Sequence, residues 1–328
     1  MASCSNEVLD SVVPQEPQAI SFENPFLDKG TRANVNDMVV DQNFTKFYVY
    51  GATGNGSSAN LYNGTEITKY NGVWTSVSNP KYWENANYFF VAYTNGNEQI
   101  PNEDETISTT VTYLNKDITI SNYVNTGDKD LIVSEKVAIE GTTSRTEPVS
   151  LTFGHKLAKV FFTFTTDAVA GQELTVSDIK LSGVKSTGTY ATSNNQWSEQ
   201  NVESHARDYV YTGNVVVTPS SATGGNVASA SSIEKYMIPQ TVEESTFIVS
   251  FTATLKDLTT KKSETKSFTV KLPATPISSW EVNNIYNYTA KITRKEITLG
   301  NPITFTPEVS SWGKTNDGGN TTKPELVE

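Results

Sequence analysis

The chain offers few groups that could do chemistry. It holds one cysteine, Cys4, and two histidines, His155 and His205. That set cannot build a disulfide framework or a Cys/His zinc site. A histidine-dependent catalytic centre would have to use His155 or His205, and neither has a second histidine, a cysteine or paired carboxylates near it in sequence. His155 alternates with Val149, Leu151, Phe153 and Leu157 on one strand face, which makes it an inward, hydrogen-bonded structural imidazole. Asn102-Glu103-Asp104-Glu105 is the densest run of carboxylates. It lacks the alternating ligand spacing of a calcium loop and reads as a solvated acidic turn. Ser220-Ser221-Ala222-Thr223-Gly224-Gly225-Asn226 has no phosphate-cradle spacing. No cofactor and no enzymatic activity are expected. Trp74, Tyr82, Trp83, Trp197 and Trp280 are either a sugar-stacking platform or, as aromatics in β-proteins usually are, core and edge cover.

Cys4 closes the run Met1-Ala2-Ser3-Cys4 and is followed by Ser5-Asn6-Glu7. Small residues before a solitary cysteine resemble the end of a lipoprotein signal, in which Cys4 becomes the lipidated N-terminus. The plainer alternative is a lone surface cysteine. Residues 1–18 lack periodicity and contain Pro14 and Pro17, as suits a leader and tether. One acyl chain holds a protein only marginally to a bilayer, so firm attachment needs further chains or a partner.

The elements that would position these groups are strands. Over 328 residues, alternation with period two dominates. Phe247, Val249, Phe251, Ala253 and Leu255 share a face, and Tyr286, Tyr288, Ala290 and Ile292 share another. Tyr88-Phe89-Phe90-Val91-Ala92-Tyr93 is apolar on both faces and predicts a central strand covered on both sides. Asn55-Gly56, Asn63-Gly64, Asn71-Gly72 and Gly96-Asn97 predict hairpin turns. No segment carries a helical stripe over three turns, and no apolar run approaches the roughly 20 residues of a membrane-spanning helix. A net charge of −11 disfavours binding to a phosphate backbone, so no nucleic-acid partner is expected. The fold class is all-β, built of antiparallel sandwiches. Length predicts two domains, divided near the polar run Glu140–Pro148: 19–146 and 147–312, followed by a polar tail, 313–328. After Leu157 the apolar phase moves to Ala158, Val160, Phe162 and Phe164, which requires a bulge or turn there.

Several segments together resemble the Mfa-like fimbrillins of Gram-negative anaerobes. Ile20-Ser21-Phe22 followed by Gly30-Thr31-Arg32-Ala33 is similar to that family's opening strand and Thr-Arg-Ala segment. Trp74, Pro80-Lys81-Tyr82-Trp83 and Tyr88–Tyr93 resemble its aromatic block, and Phe153-Gly154-His155-Lys156-Leu157 its Phe-x-His-x-Leu segment. Met237-Ile238-Pro239-Gln240, Trp280 with Tyr286 and Tyr288, Ile303-Thr304-Phe305 and Trp312 resemble its later elements. The likeness runs from about residue 19 to 312.

The resemblance implies two tandem transthyretin-like β-sandwich domains, export as a lipoprotein to the outer membrane, and assembly into adhesive type V pili. It implies proteolytic removal of an N-terminal strand by an arginine-specific protease, after which a strand of another pilin subunit fills the groove by β-strand addition. Carried onto this chain, the processing site is Arg32, the alternative being an ordinary surface arginine; Arg145 is a rival that the family pattern does not favour. The displaced strand centres on Ile20 and Phe22. Ile303, Phe305 and Val309 are spaced as one face of a donor strand, or of an ordinary last strand. The polar tail makes a poor donor, which favours a tip, accessory or anchor-like component. The function expected is a structural, adhesive fimbria subunit with a ligand on a host or bacterial surface. The alternative is a glycan-binding surface lipoprotein acting beside a nutrient-uptake system.

Overall fold

The computed structural model describes residues 18–27, 44–100, 103–104, 107–201, 208–219 and 228–312. Cys4, Arg32, His205, the leader up to Pro17, the loop 220–227, the tail 313–328 and the side chains of Asn102–Glu105 lie outside the described residues. The fold is nearly all β, as the alternation predicts. Only one α-helix, Arg294–Leu299, occurs among the described residues, held by a capping box between Thr293 and Glu296.

The first unit is organised around Ala86–Asn95, the strand that is apolar on both faces. Lys46–Thr53 pairs along one side of it, and Leu131–Ser134 and Val137–Gly141 pair along the other. The sheet continues through Tyr62–Tyr70 to Val73–Thr75 at one end, and through Thr152–His155 to Phe26–Leu27 at the other. Tyr88, Phe90 and Ala92 point into one core, with Phe22, Phe47, Trp74, Trp83 and Phe153. Val91 and Tyr93 point into another, with Tyr48, Ile118, Ile120 and Tyr190. The second core is closed by a four-stranded sheet of Gln196–Asn201, Thr187–Ala191, Asp117–Val124 and Thr110–Leu114.

The turn signals mostly act as read. Asn71 and Gly72 take φ of 48° and 85° and join Tyr62–Tyr70 to Val73–Thr75 in a two-residue hairpin. Asn63-Gly64 is the exception. It lies inside Tyr62–Tyr70, where the register against Val49 and Gly51 shifts, and Gly64 has a φ of 65°. The glycine serves a β-bulge there, the other common use of a positive φ in a sheet.

In the second unit, Ala158–Thr166 alternates buried and half-buried over all nine residues. It pairs in parallel with Asn284–Lys291, which in turn pairs antiparallel with Phe305–Ser311. The facing sheet is built on Gln172–Ser182, Ile248–Asp257 and Ser263–Lys271. Phe162, Phe164, Phe251, Tyr288 and Phe305 form the centre of the core between them. Lys261, with a φ of 61°, sits at the tip of the hairpin that joins the last two of these strands.

Strand pairing does not change over at residue 146. Glu140–Pro148 folds back on the first unit: Thr143 N–H donates to Asn85 Oδ1 (3.3 Å), and the Arg145 guanidinium lies 5.1 Å from the Trp83 ring. Thr152–His155 still belongs to the first sheet. The chain crosses to the second unit between His155 and Ala158, where the apolar phase shifts. Among the described residues its strand pairing then returns once, as the hairpin of Thr187–Ala191 and Gln196–Asn201, whose first strand pairs with Asp117–Val124 of the first unit. A polar, proline-ended stretch marks a turn; a change of apolar phase marks a change of core.

Candidate assembly interface

Residues 18–27 form a narrow segment laid between two parts of the first unit. Alternation turns Ile20 and Phe22 inward, and they are 1% and 3% exposed. The main chain is held on both sides. Towards the aromatic loop, Ile20 N–H donates to Lys81 O (2.7 Å), Phe22 N–H to Trp74 O (2.9 Å) and Trp83 N–H to Gln18 O (2.9 Å). Towards the opposite strand, Glu23 N–H donates to Val149 O (2.9 Å) and Val149 N–H to Ser21 O (2.8 Å). Phe22 therefore bridges antiparallel to Trp74 and parallel to Val149, and Phe26–Leu27 continues in parallel along Thr152–Phe153.

The side-chain fit is specific. Phe22 meets the rings of Phe47 and Phe90 edge-on, at 5.7 and 5.8 Å, a favoured aromatic geometry. Asn24 caps the end of the segment: its Oδ1 accepts from Trp74 Nε1 (2.9 Å) and Lys69 Nζ (3.3 Å). A shallow opening beside Phe22, Asn24, Val73, Trp74 and Pro148 shows where the segment reaches the surface. Burial pushes the phenols around it upward. Tyr62, whose ring lies 6.3 Å from that of Phe22, and Tyr88, in the same core, are both raised for this reason.

The C-terminal segment is placed differently. Phe305–Ser311 is the outermost strand of its sheet and pairs on one side only, from Ala290 opposite Phe305 to Asn284 opposite Ser311. Ile303 and Phe305 are buried in the second core, whereas Val309 is 38% exposed and is not packed on that core. Of the three residues spaced as one face, two are inward and Val309 is not. Trp312, buried at the end of the strand, is anchored by its N–H donating to Asn283 O (2.9 Å). Its ring stacks on His155 with centroids 3.7 Å apart, and Lys159 Nζ lies 4.3 Å from the ring centre. His155 Nδ1 is 2.6 Å from Asp130 Oδ2. His155 thus leaves the core of Val149, Leu151 and Phe153 and stands at the junction of the units, its side chain one-tenth exposed.

The five aromatics are not brought together as a platform would need, and three of them are core, as aromatics in β-proteins usually are. Trp74 and Trp83 are buried in the first unit and Trp280 in the second, while Tyr82 is half exposed at the surface. Only Trp197 combines partial exposure with a fixed ring. Asn24 and the returning hairpin escape sequence reading, because a lone asparagine and a polar hairpin carry no signal of their partners.

The profile of the fimbrillin-like family matches residues 31–312. The chain belongs to the fimbrillin-like family. No curated protein matches the sequence. Among solved structures, the chain is similar to a fimbrial protein from Bacteroides vulgatus, with a TM-score of 0.56 and 14% identity, covering 90% of this chain and 99% of that one. It is also similar to a candidate cell adhesion protein from Bacteroides ovatus, with a TM-score of 0.51 and 14% identity over 91% and 99% of the two chains. At such identities the likeness is one of fold, and it runs the whole length of both relatives. The family match of this fimbrillin-like chain ends at Trp312 and begins after the N-terminal segment, at residue 31.

Proposed function

We propose that this fimbrillin-like protein is a structural, adhesive fimbrial subunit of the cell surface, exported as a lipoprotein through Cys4 and assembled by strand exchange. The observation that carries the reading is the N-terminal segment, bonded through its main chain on two sides and filling an aromatic core with Ile20 and Phe22. Cleavage after Arg32 would free that segment. Its loss would open two strand edges at once and remove side chains whose burial is worth about 1.5–3 kcal/mol each. An open edge above an apolar groove recruits another strand. Another subunit's C-terminal region is a suitable source, because Ile303-Thr304-Phe305 repeats the Ile20-Ser21-Phe22 pattern. The polar tail suits a tip, accessory or anchor-like position better than a repeating stalk.

Incubation with an arginine-specific protease tests this. The expected outcome is a stable monomer before cleavage and slow association afterwards, with Arg32→Ala blocking the change and a peptide spanning Ile303–Trp312 inhibiting it. A cleaved chain that stays monomeric and equally stable, with and without other pilin subunits, overturns strand exchange. For the lipid anchor, Cys4→Ala in the full precursor should abolish acyl labelling and membrane fractionation.

A further inference from the structure

An open cleft of about 490 Å³ lies between the returning hairpin and the short ladder of Gln240–Thr241 with Ser279–Trp280. One wall belongs to a sheet of the first unit and the other to the second. Clefts between units are common sites for small ligands. Two aromatic residues line it. Trp280 is 1% exposed, with its indole N–H donating to Tyr288 Oη (2.9 Å), so it forms the floor. Trp197 is partly exposed. Its indole N–H donates to Lys156 O (2.7 Å), and its ring is wedged by Tyr123 at 5.5 Å and Tyr190 at 5.6 Å. Its orientation is therefore set, its one donor is occupied, and what it offers the cleft is ring surface.

The polar groups around this ring are mixed and balanced. Asn195 Oδ1 accepts from Tyr190 Oη (2.7 Å) and Lys156 Nζ (3.0 Å), which holds the amide in place. Gln196 and Glu281 are exposed at the rim. Lys185 is offset by Glu243 at 3.7 Å, and Glu281 accepts from Ser279 Oγ (2.5 Å). Among the described residues, the cleft thus presents an immobilised aromatic ring, amides that both donate and accept, one carboxylate and no free cation.

We infer that this cleft binds a neutral saccharide. A sugar ring has an apolar C–H face, which needs an aromatic surface held in one orientation, and an edge of hydroxyls, which needs donors and acceptors together. Trp197 supplies the first, and Asn195, Gln196 and Glu281 supply the second. A phosphate or polyanionic ligand finds no free cation among the described residues here and a net charge of −11 on the chain. None of residues 18–27 lines the cleft, so the site does not depend on strand exchange.

The test is an array of neutral and of sulfated or sialylated oligosaccharides probed with the full chain, followed by saturation-transfer NMR on the glycans retained. At least one neutral oligosaccharide is expected to bind, with ring C–H protons showing the strongest saturation. Gln196→Ala combined with Glu281→Ala, both at exposed positions, should weaken binding at least tenfold at an unchanged melting temperature. Trp197→Phe, which keeps a ring but shrinks it, should weaken it less than Trp197→Ala. Retention of no neutral glycan, preference for the charged set, or wild-type binding by the double variant overturns the assignment.

Discussion

The N-terminal segment and the closing strand Phe305–Ser311 share a sequence pattern and differ in topology. Ile20-Ser21-Phe22 and Ile303-Thr304-Phe305 both bury two apolar side chains around a hydroxyl residue. The closing strand rests on an unbroken ladder of seven register pairs along one neighbour, so its removal would leave a complete sheet with a new edge. The N-terminal segment has fewer regular pairs but touches two neighbours that do not pair with each other through Phe22. Its removal would part the sheet at that point. A strand is exchangeable because of where it sits, and its apolar alternation says only that it will be buried.

The comparison can be broken first by alkali. Burial raises Tyr62, beside Phe22, and Tyr288, opposite Pro307 in the closing strand, above the ordinary value of 10.0. A raised folded-state value means the neutral phenol is favoured by the fold. That contribution is complete below pH 10 and is lost as pH rises beyond it. Phenolate absorbance and circular dichroism should change together in one steep transition above pH 10. Two separate transitions would mean that the regions differ in burial as well as in topology.

Next in size is Phe22→Ala, expected to cost about 3–5 kcal/mol in denaturant unfolding, because the buried ring is packed against both Phe47 and Phe90. A cost below about 1 kcal/mol would show that the segment lies on its core without filling it. His155→Ala should cost about 1–3 kcal/mol through an orphaned Asp130 and a lost stack on Trp312, and it should loosen the closing strand as seen by hydrogen exchange at Val309–Ser311. Protection there unchanged from wild type would show that Trp312 does not clamp that end. Smallest in stability is Val309→Ala, within about 0.5 kcal/mol, given its exposure. Pro307→Thr, which restores a backbone donor on an edge strand, should raise self-association in sedimentation. Proline blunts edges in this way.

Much of the fold was legible residue by residue. The two-faced strand Ala86–Asn95, the inward sets from Phe247 to Leu255 and from Tyr286 to Ile292, and the inward pair Ile20 and Phe22 all follow from period-two alternation. A side chain's face depends on its immediate neighbours along the strand. The break after Leu157 was equally visible, although its meaning was not: it is the passage from one core to another, and the run Glu140–Pro148 that looked like a linker is a turn packed against Trp83. Asn63-Gly64 was ambiguous in principle, since a hairpin and a bulge ask the same backbone angles of the same residues.

By itself, then, the sequence determined the class of structure, the inward pairs Ile20 with Phe22 and Ile303 with Phe305, and that thiol and imidazole chemistry could rest only on Cys4, His155 and His205. Which strands become neighbours was decided only by the tertiary structure. The return of Thr187–Asn201 to the first unit, the stack of Trp312 on His155 and the fixed ring of Trp197 each join residues at least 40 positions apart. Alternation states that a face must be covered. It does not say by what, because any apolar face of matching shape satisfies the same local pattern, and the choice among them is made by the packing of the whole chain.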